Sequence, residues 1–253
     1  MQTSNAQGSG IKSVGSAILH VRNLNLMVSW YGDILGTPIT EIESETPYYV
    51  FEMINGVNLM LDDHRFMQDQ AKHPIFMLNT MDIEASYNWA KQNEITINLE
   101  IQHVHPGLSY FNISDSEGNV MMIIQSNWVN PNSQQLNELD KPIVNHINSI
   151  VVPVTDLKRA TEWYAHLLGH VIKPDRQTGG PIYWFDMENG TGVLLDDNRS
   201  NGYCEKYPTF MLKGPDIEEA YRFIVSKNIK TLTEVEFDNH FFISDPEGNS
   251  III

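Results

Sequence analysis

The side chains best suited to ligation or proton transfer are histidines set near acids and strand-like runs. His20 falls in the alternating stretch 16–24, His73 immediately precedes the apolar run 74–78, and Asp62 ends a run that carries Met60. Imidazole and carboxylate groups serve either as ligands to a divalent metal or as an acid–base pair. The plain alternative for His20 and His73 is a polar residue at a cleft mouth or on the surface. His103 and His105 have the i, i+2 spacing of a metal pair, but they adjoin Pro106-Gly107, where a solvated hairpin tip accounts for them. Asp62-Asp63 recurs as Asp196-Asp197 where strands end, a place where Asp bonds locally to the backbone. Tyr110 and His240 hold corresponding places on a late strand and either line a cleft or cover the sheet. Tyr49 with Phe51, and Tyr183 with Phe185, form aromatic stripes that offer stacking and phenol hydrogen bonds if they face a cleft.

The elements that must position these groups are written twice. Apolar residues at helical spacing in 25–35 (Met27, Trp30, Tyr31, Ile34, Leu35) stop at Gly36, and the pattern returns with Trp163, Tyr164 and Leu168-Gly169. The strand run 47–53 matches 181–187, and Asn55-Gly56 matches Asn189-Gly190 as hairpin turns. Arg65 and Arg199 follow the two Asp pairs. Asp82 and Asp216 each open a helix, the two ending near Gln92 and Ser226. The phrase S-D-S-E-G-N of 114–119 returns as S-D-P-E-G-N at 244–249, each followed by an apolar strand. Two copies of one domain are expected, 16–127 and 146–253, after a disordered lead-in at 1–15 and joined by an Asn/Gln/Pro-rich linker at 128–145. Each copy reads as two β-α-β-β-β units, an α+β fold.

The chain has 253 residues, 42% hydrophobic and 19% charged, with a formal net charge of −16 and one cysteine, Cys204. That acidity argues against nucleic-acid and anionic-membrane partners. A single cysteine excludes an internal disulfide, and with no export signal a cytoplasmic location is expected. No glycine-rich phosphate loop or nucleophile elbow is present.

The order V-x-D-L at 154–157, Trp163-Tyr164, Leu168-Gly169 and D-P-E-G-N at 245–249 resembles the vicinal oxygen chelate superfamily. That superfamily includes glyoxalase I, extradiol dioxygenases, fosfomycin-resistance proteins and bleomycin-binding proteins. The resemblance implies half-open curled sheets around clefts. In metal-using members it implies ligands on the first, fourth, fifth and eighth strands, typically His or Gln, Glu, His and Glu. Carried onto this chain, the slots are Ser16, Met60, His73 and Met122 in the first half, and Ser149, Leu194, Tyr207 and Ile252 in the second. Only His73 is a good ligand, and neither 120–124 nor 250–253 contains a carboxylate at any register.

The expected function is therefore metal-independent binding of a small, partly aromatic or apolar molecule, with no cofactor. The candidate contacts are His20, Tyr49, Phe51, Met60, His73, Tyr110, Met122, Tyr183, Phe185, Tyr207 and His240. One alternative is a lyase or dioxygenase holding a divalent metal near His73 and Asp62, with His20 in support. Another is a structural or regulatory interaction protein. Pairing of the two halves within one chain fits a monomer, and a homodimer stays open.

Overall fold

The helix after the first strand of each half is specified at both ends. Asn23 and Asp156 cap the N-termini by accepting from the Leu26 and Arg159 N–H groups, and Gly36 and Gly169 end the helices in the left-handed conformation (φ 58° and 68°). Asp82 and Asp216 cap the second helix of each half in the same way. Buried Tyr31 and Tyr164 turn inward from these helices, while Trp30 and Trp163 pack partly buried beside them.

The computed structural model describes residues 8–42, 46–64, 73–127, 141–198 and 207–253. Arg65, Arg199 and Cys204 lie outside them. The first half runs β1 (Ile11–His20), α1 (Leu24–Leu35), β2 (Tyr48–Phe51), β3 (Asn58–Asp62), β4 (Pro74–Thr80), α2 (Ile83–Gln92), β5 (Ile97–His105), β6 (Leu108–Ser114) and β7 (Val120–Ser126). The second runs β8 (Val144–Pro153), α3 (Leu157–Leu168), a short 3₁₀ turn (Pro174–Arg176), β9 (Ile182–Asp186), β10 (Gly192–Asp196), β11 (Phe210–Lys213), α4 (Ile217–Ser226), β12 (Phe242–Ser244) and β13 (Ser250–Ile252). The sheet orders are β2-β3-β1-β4-β7-β6-β5 and β12-β13-β11-β8-β10-β9. Helices cover one face of each sheet and the other face is left open.

Several expectations need correction. β1 begins at Ile11, and buried Ser9 donates its hydroxyl to the Leu167 carbonyl at 2.5 Å, so residues 9–15 pack with the fold instead of forming a lead-in. Residues 1–7 lie outside the described set, as do 128–140 of the expected linker, and β8 takes Val144 and Asn145 from that linker's end. The eight strands expected per half are seven and six among the described residues. Residues 38–42, and 170–173 with the 3₁₀ turn, form no strand before β2 and β9. The span after α4 (Ser226 to Asp245) is four residues shorter than that after α2 (Gln92 to Asp115). It keeps only two isolated bridges, Thr231 to Ile243 and Glu236 to His240, beside β12.

The duplicated motifs hold the halves to each other. Glu247, in the last turn, accepts from the N–H groups of Arg22 and Asn23 at the start of α1 (2.7–2.9 Å). Its twin Glu117 accepts from the N–H and hydroxyl of Thr155 (2.8 and 2.5 Å) and pairs with Arg159 (2.6 Å) at the start of α3. Tyr164 donates to Asp115 at 2.9 Å, and Tyr31 to Asp245 at 3.4 Å. The hairpin asparagines also cross over, Asn55 Nδ2 donating to the Ile147 carbonyl and Asn189 Nδ2 to that of Val14. The D-x-E-G-N turn is thus a clasp for the opposite half as well as a hairpin.

Candidate functional site

Strand register shows what stands on each open face. In the first half Ser16 pairs with Asn58 and Met77, Met77 with Met122, and Met122 with Asn112. Paired residues point the same way, so Asn58–Ser16–Met77–Met122–Asn112 is one row across five strands. The alternate residues (Ala17, Leu59, Phe76, Leu78, Phe111, Ile123) are buried under the helices. The corresponding row of the second half is Gly192–Ser149–Met211–Ile252–Phe242. Asparagine amides flank the first row, whereas glycine and phenylalanine end the second.

Two residues further along β1 and β3, Ile18 faces Met60, and beyond them His20 faces Asp62. This is the polar end of the first cleft. The His20 Nε2–H donates to the Pro74 carbonyl at 3.0 Å, because a carbonyl only accepts. The other ring nitrogen lies 3.8 Å from Asp62 Oδ2, and the His20 side chain is only 7% exposed. Asp62 Oδ1 accepts from the His64 N–H at 2.8 Å and from its ring Nδ1 at 3.0 Å. The His73 ring meets His20 edge-on, centroids 5.0 Å apart. Burial first, and the neighbouring Asp62 second, push the Asp63 carboxyl above its ordinary value. The second half has the same turn, Asn198 N–H donating to Asp196 Oδ1 at 2.8 Å, but Pro153 and Tyr207 replace the histidines, and the Tyr207 hydroxyl donates to the Asp196 carbonyl at 3.3 Å.

Ser16 and Met122 share the central row, and Met60 is on the same face. His73 is not in that row. It stands four residues before Met77, roughly 13 Å along the strand, and belongs with His20. The residues of the family's metal slots therefore supply a hydroxyl and two thioethers, which do not fit a divalent metal centre. Among the described residues no three His, Cys, Asp or Glu side chains converge on one metal position.

The aromatic stripes are on the opposite face from the one a cleft would need. Phe51 is 1% exposed and packs near the Tyr31 ring of α1, and Tyr49 reaches Thr40, whose N–H donates to its hydroxyl at 3.1 Å. Tyr183 and Phe185 are buried likewise, with the Lys173 N–H on the Tyr183 hydroxyl. The open face carries Tyr48 and Val50 in β2, and Ile182 and Trp184 in β9, the last beneath the Arg176 guanidinium at 4.5 Å. Glu52 and Asp186 share the parity of Val50 and Trp184, a signal that could have assigned the faces. Tyr49→Phe should cost about 1 kcal/mol in urea unfolding and leave cleft binding unchanged. A loss of binding would put Tyr49 back among the ligand contacts.

Tyr110 stands on the open face two residues from Asn112. His240 keeps the equivalent place before Phe242 but turns to its own hairpin, its rings' nitrogens near Asn239 (2.5 Å) and Glu236 (3.6 Å). His103 and His105 are exposed at the β5–β6 tip.

A model of the Glyoxalase/Bleomycin resistance protein/Dioxygenase superfamily matches residues 13–123 and 145–253. The metallothiol transferase FosB of Staphylococcus haemolyticus (strain JCSC1435) is 33% identical over 92 residues, which is 34% of this chain and 64% of that protein. The chain thus spans 64% of the length of that curated relative. Among solved structures, the Y257F variant of homoprotocatechuate 2,3-dioxygenase from B. fuscum is similar over 100% of this chain and 73% of its own (TM-score 0.64, 15% identity). The Mn(II)-bound glyoxalase from Novosphingobium aromaticivorans is similar over 96% and 81% (TM-score 0.60, 11% identity). At these identities the structural likeness shows the fold alone. No helix among the described residues is long and apolar enough to cross a membrane. With the family match covering nearly all of both halves, the chain belongs to the Glyoxalase/Bleomycin resistance protein/Dioxygenase superfamily.

Proposed function

We propose that the first half binds a small, partly aromatic or apolar molecule on the open face of its sheet, without a metal at the family's slots. The observation that carries this is the central row. Met77 and Met122 offer an adaptable, polarisable floor, and the His20–Asp62 pair supplies a polar contact at one end. The second cleft, with Ile252 and Phe242 in its row and no histidine at its mouth, is the lesser candidate.

The test is metal analysis and native mass spectrometry on one freshly purified sample, followed by ligand-observed NMR with aromatic fragments, with and without chelator. Substoichiometric metal and chelator-insensitive binding are expected. A stoichiometric divalent metal, removed by chelator together with binding or activity, would overturn the proposal. It would instead support a metal-dependent lyase or dioxygenase. That second reading draws on the names of the relatives and on the meeting of His20, His73 and Asp62 at the mouth. Under it, His73→Ala abolishes metal retention and activity together; under the binding reading, His73→Ala leaves the metal content unchanged.

A further inference from the structure

The open face of the second sheet carries two basic groups that the first lacks. On β11, Phe210 and Leu212 are buried in the core, so Met211 and Lys213 face the open side. On β8, Ser149 stands opposite Met211, Ile147 opposite Leu212 in the core, and Val144 opposite Lys213. Paired residues point the same way, so Val144, and His146 two residues along, share the face of Lys213. This is the end of the face away from Pro153. Diagonal neighbours of this kind are roughly 7–8 Å apart, a gap that a lysine chain spans. Burial first, and the Lys213 charge second, hold the His146 imidazole below its ordinary value. Both residues are half-buried, and among the described residues neither side chain has a hydrogen bond or an acidic partner. Elsewhere Arg159 pairs with Glu117, and Lys173 and Arg176 pair with Asp186. A half-buried ammonium without a counter-ion has lost part of its hydration and gained nothing in exchange. In the first half the same places, two residues after the row's methionine and three before its serine, hold Asn79 and Ser13. That pair is uncharged and satisfied, Asn79 Nδ2 donating to Ser13 Oγ at 3.0 Å.

We infer that Lys213 and His146 form a binding site for a carboxylate carried on an apolar body, seated on the open face of the second half. Lys213 supplies the charge, and the neutral His146 ring supplies an N–H donor. The apolar body lies over Met211 toward Ile252, its neighbour in the row. One positive charge matches a monoanion. A dianion would leave a negative charge unmatched in a chain whose net charge is already −16. The site is separate from the binding proposed for the first cleft and does not depend on it.

The test compares cyclohexanecarboxylate with cyclohexanecarboxamide by ligand-observed NMR on the full chain, with sulfate as a competitor. In the wild type the carboxylate should bind about tenfold tighter, the margin of a charge-assisted over a neutral hydrogen bond. Its binding should also shift the His146 ring resonances, which are identified by their absence in His146→Gln. Lys213→Met should erase the preference without lowering Tm, because it removes a charge that no group of the free protein pairs with. Lys213→Arg, which keeps the charge, should retain the preference. Lys158→Met, on the exposed side of α3, should leave it unchanged. Should Lys213→Met fail to fold, Lys213→Gln decides in its place. Equal binding of carboxylate and carboxamide, or a preference that survives the loss of the Lys213 charge, overturns the site. Displacement of the carboxylate by an equal concentration of sulfate overturns the choice of a monoanion.

Discussion

Replacing Glu117 by glutamine should lower stability by about 2–3 kcal/mol at neutral pH, an effect that fades as the pH falls from about 5 toward 2. Burial alone would raise this carboxyl, whose side chain is 4% exposed, but hydrogen bonds from the hydroxyl and N–H of Thr155 and from Arg159 outweigh it and hold the group at about 2 instead of 4.5. A carboxyl depressed on folding stabilises above its unfolded value and loses that contribution as the pH falls through its folded value. Glutamine keeps one acceptor but loses the charge that faces Arg159 and the positive end of α3. The measurement is a pair of urea titrations, wild type and E117Q, at steps from pH 7 to pH 3. The gap in midpoint should be widest near pH 7 and narrow steadily below 4.5. A gap independent of pH would mean that Glu117 acts through packing and neutral hydrogen bonds, not as a charge. Glu247→Gln tests the matching clasp on α1, where the Arg22 and Asn23 N–H groups donate to the carboxylate, and a loss of stability is expected there too.

That clasp also marks how far the sequence could be read. The repeat, the helix ends at Gly36 and Gly169, and the D-x-E-G-N turns were legible because each rests on residues close together in the chain. What Glu117 and Glu247 do was not, because their partners are 38 and 225 residues away and no local pattern specifies the docking of two halves. The faces of β2 and β9 were misassigned for a different reason. Both parities carry aromatics, Tyr48 beside Tyr49 and Trp184 beside Tyr183 and Phe185, so alternation gave two faces without saying which one meets the helices. His73 was misplaced because it lies one residue before β4 begins. The register that sets it opposite His20 instead of Ser16 exists only once β1 and β4 are paired. The missing carboxylates of β7 and β13 were legible without any of this, since no shift of register brings a Glu into those strands.

The second large effect concerns which cleft works. Met77→Trp should remove fragment binding altogether, and Met211→Trp should leave it intact. The two methionines are equivalent in register, each at the centre of its row and each half-buried. A larger indole at position 77 fills the space above Ser16 and Met122. An aromatic fragment that buries roughly 150 Å² of apolar surface gains about 4 kcal/mol from it, and a filled floor forfeits that gain. Because Met77 borders open space, the indole need not be forced into the core, and the overpacking penalty of about 1–3 kcal/mol seen in closed interiors should be largely avoided. Unchanged urea midpoints would separate a blocked site from a damaged fold. Should Met211→Trp abolish binding and Met77→Trp spare it, the working cleft is the second. The His20–Asp62–His64 cluster would then be a structural turn like that of Asp196.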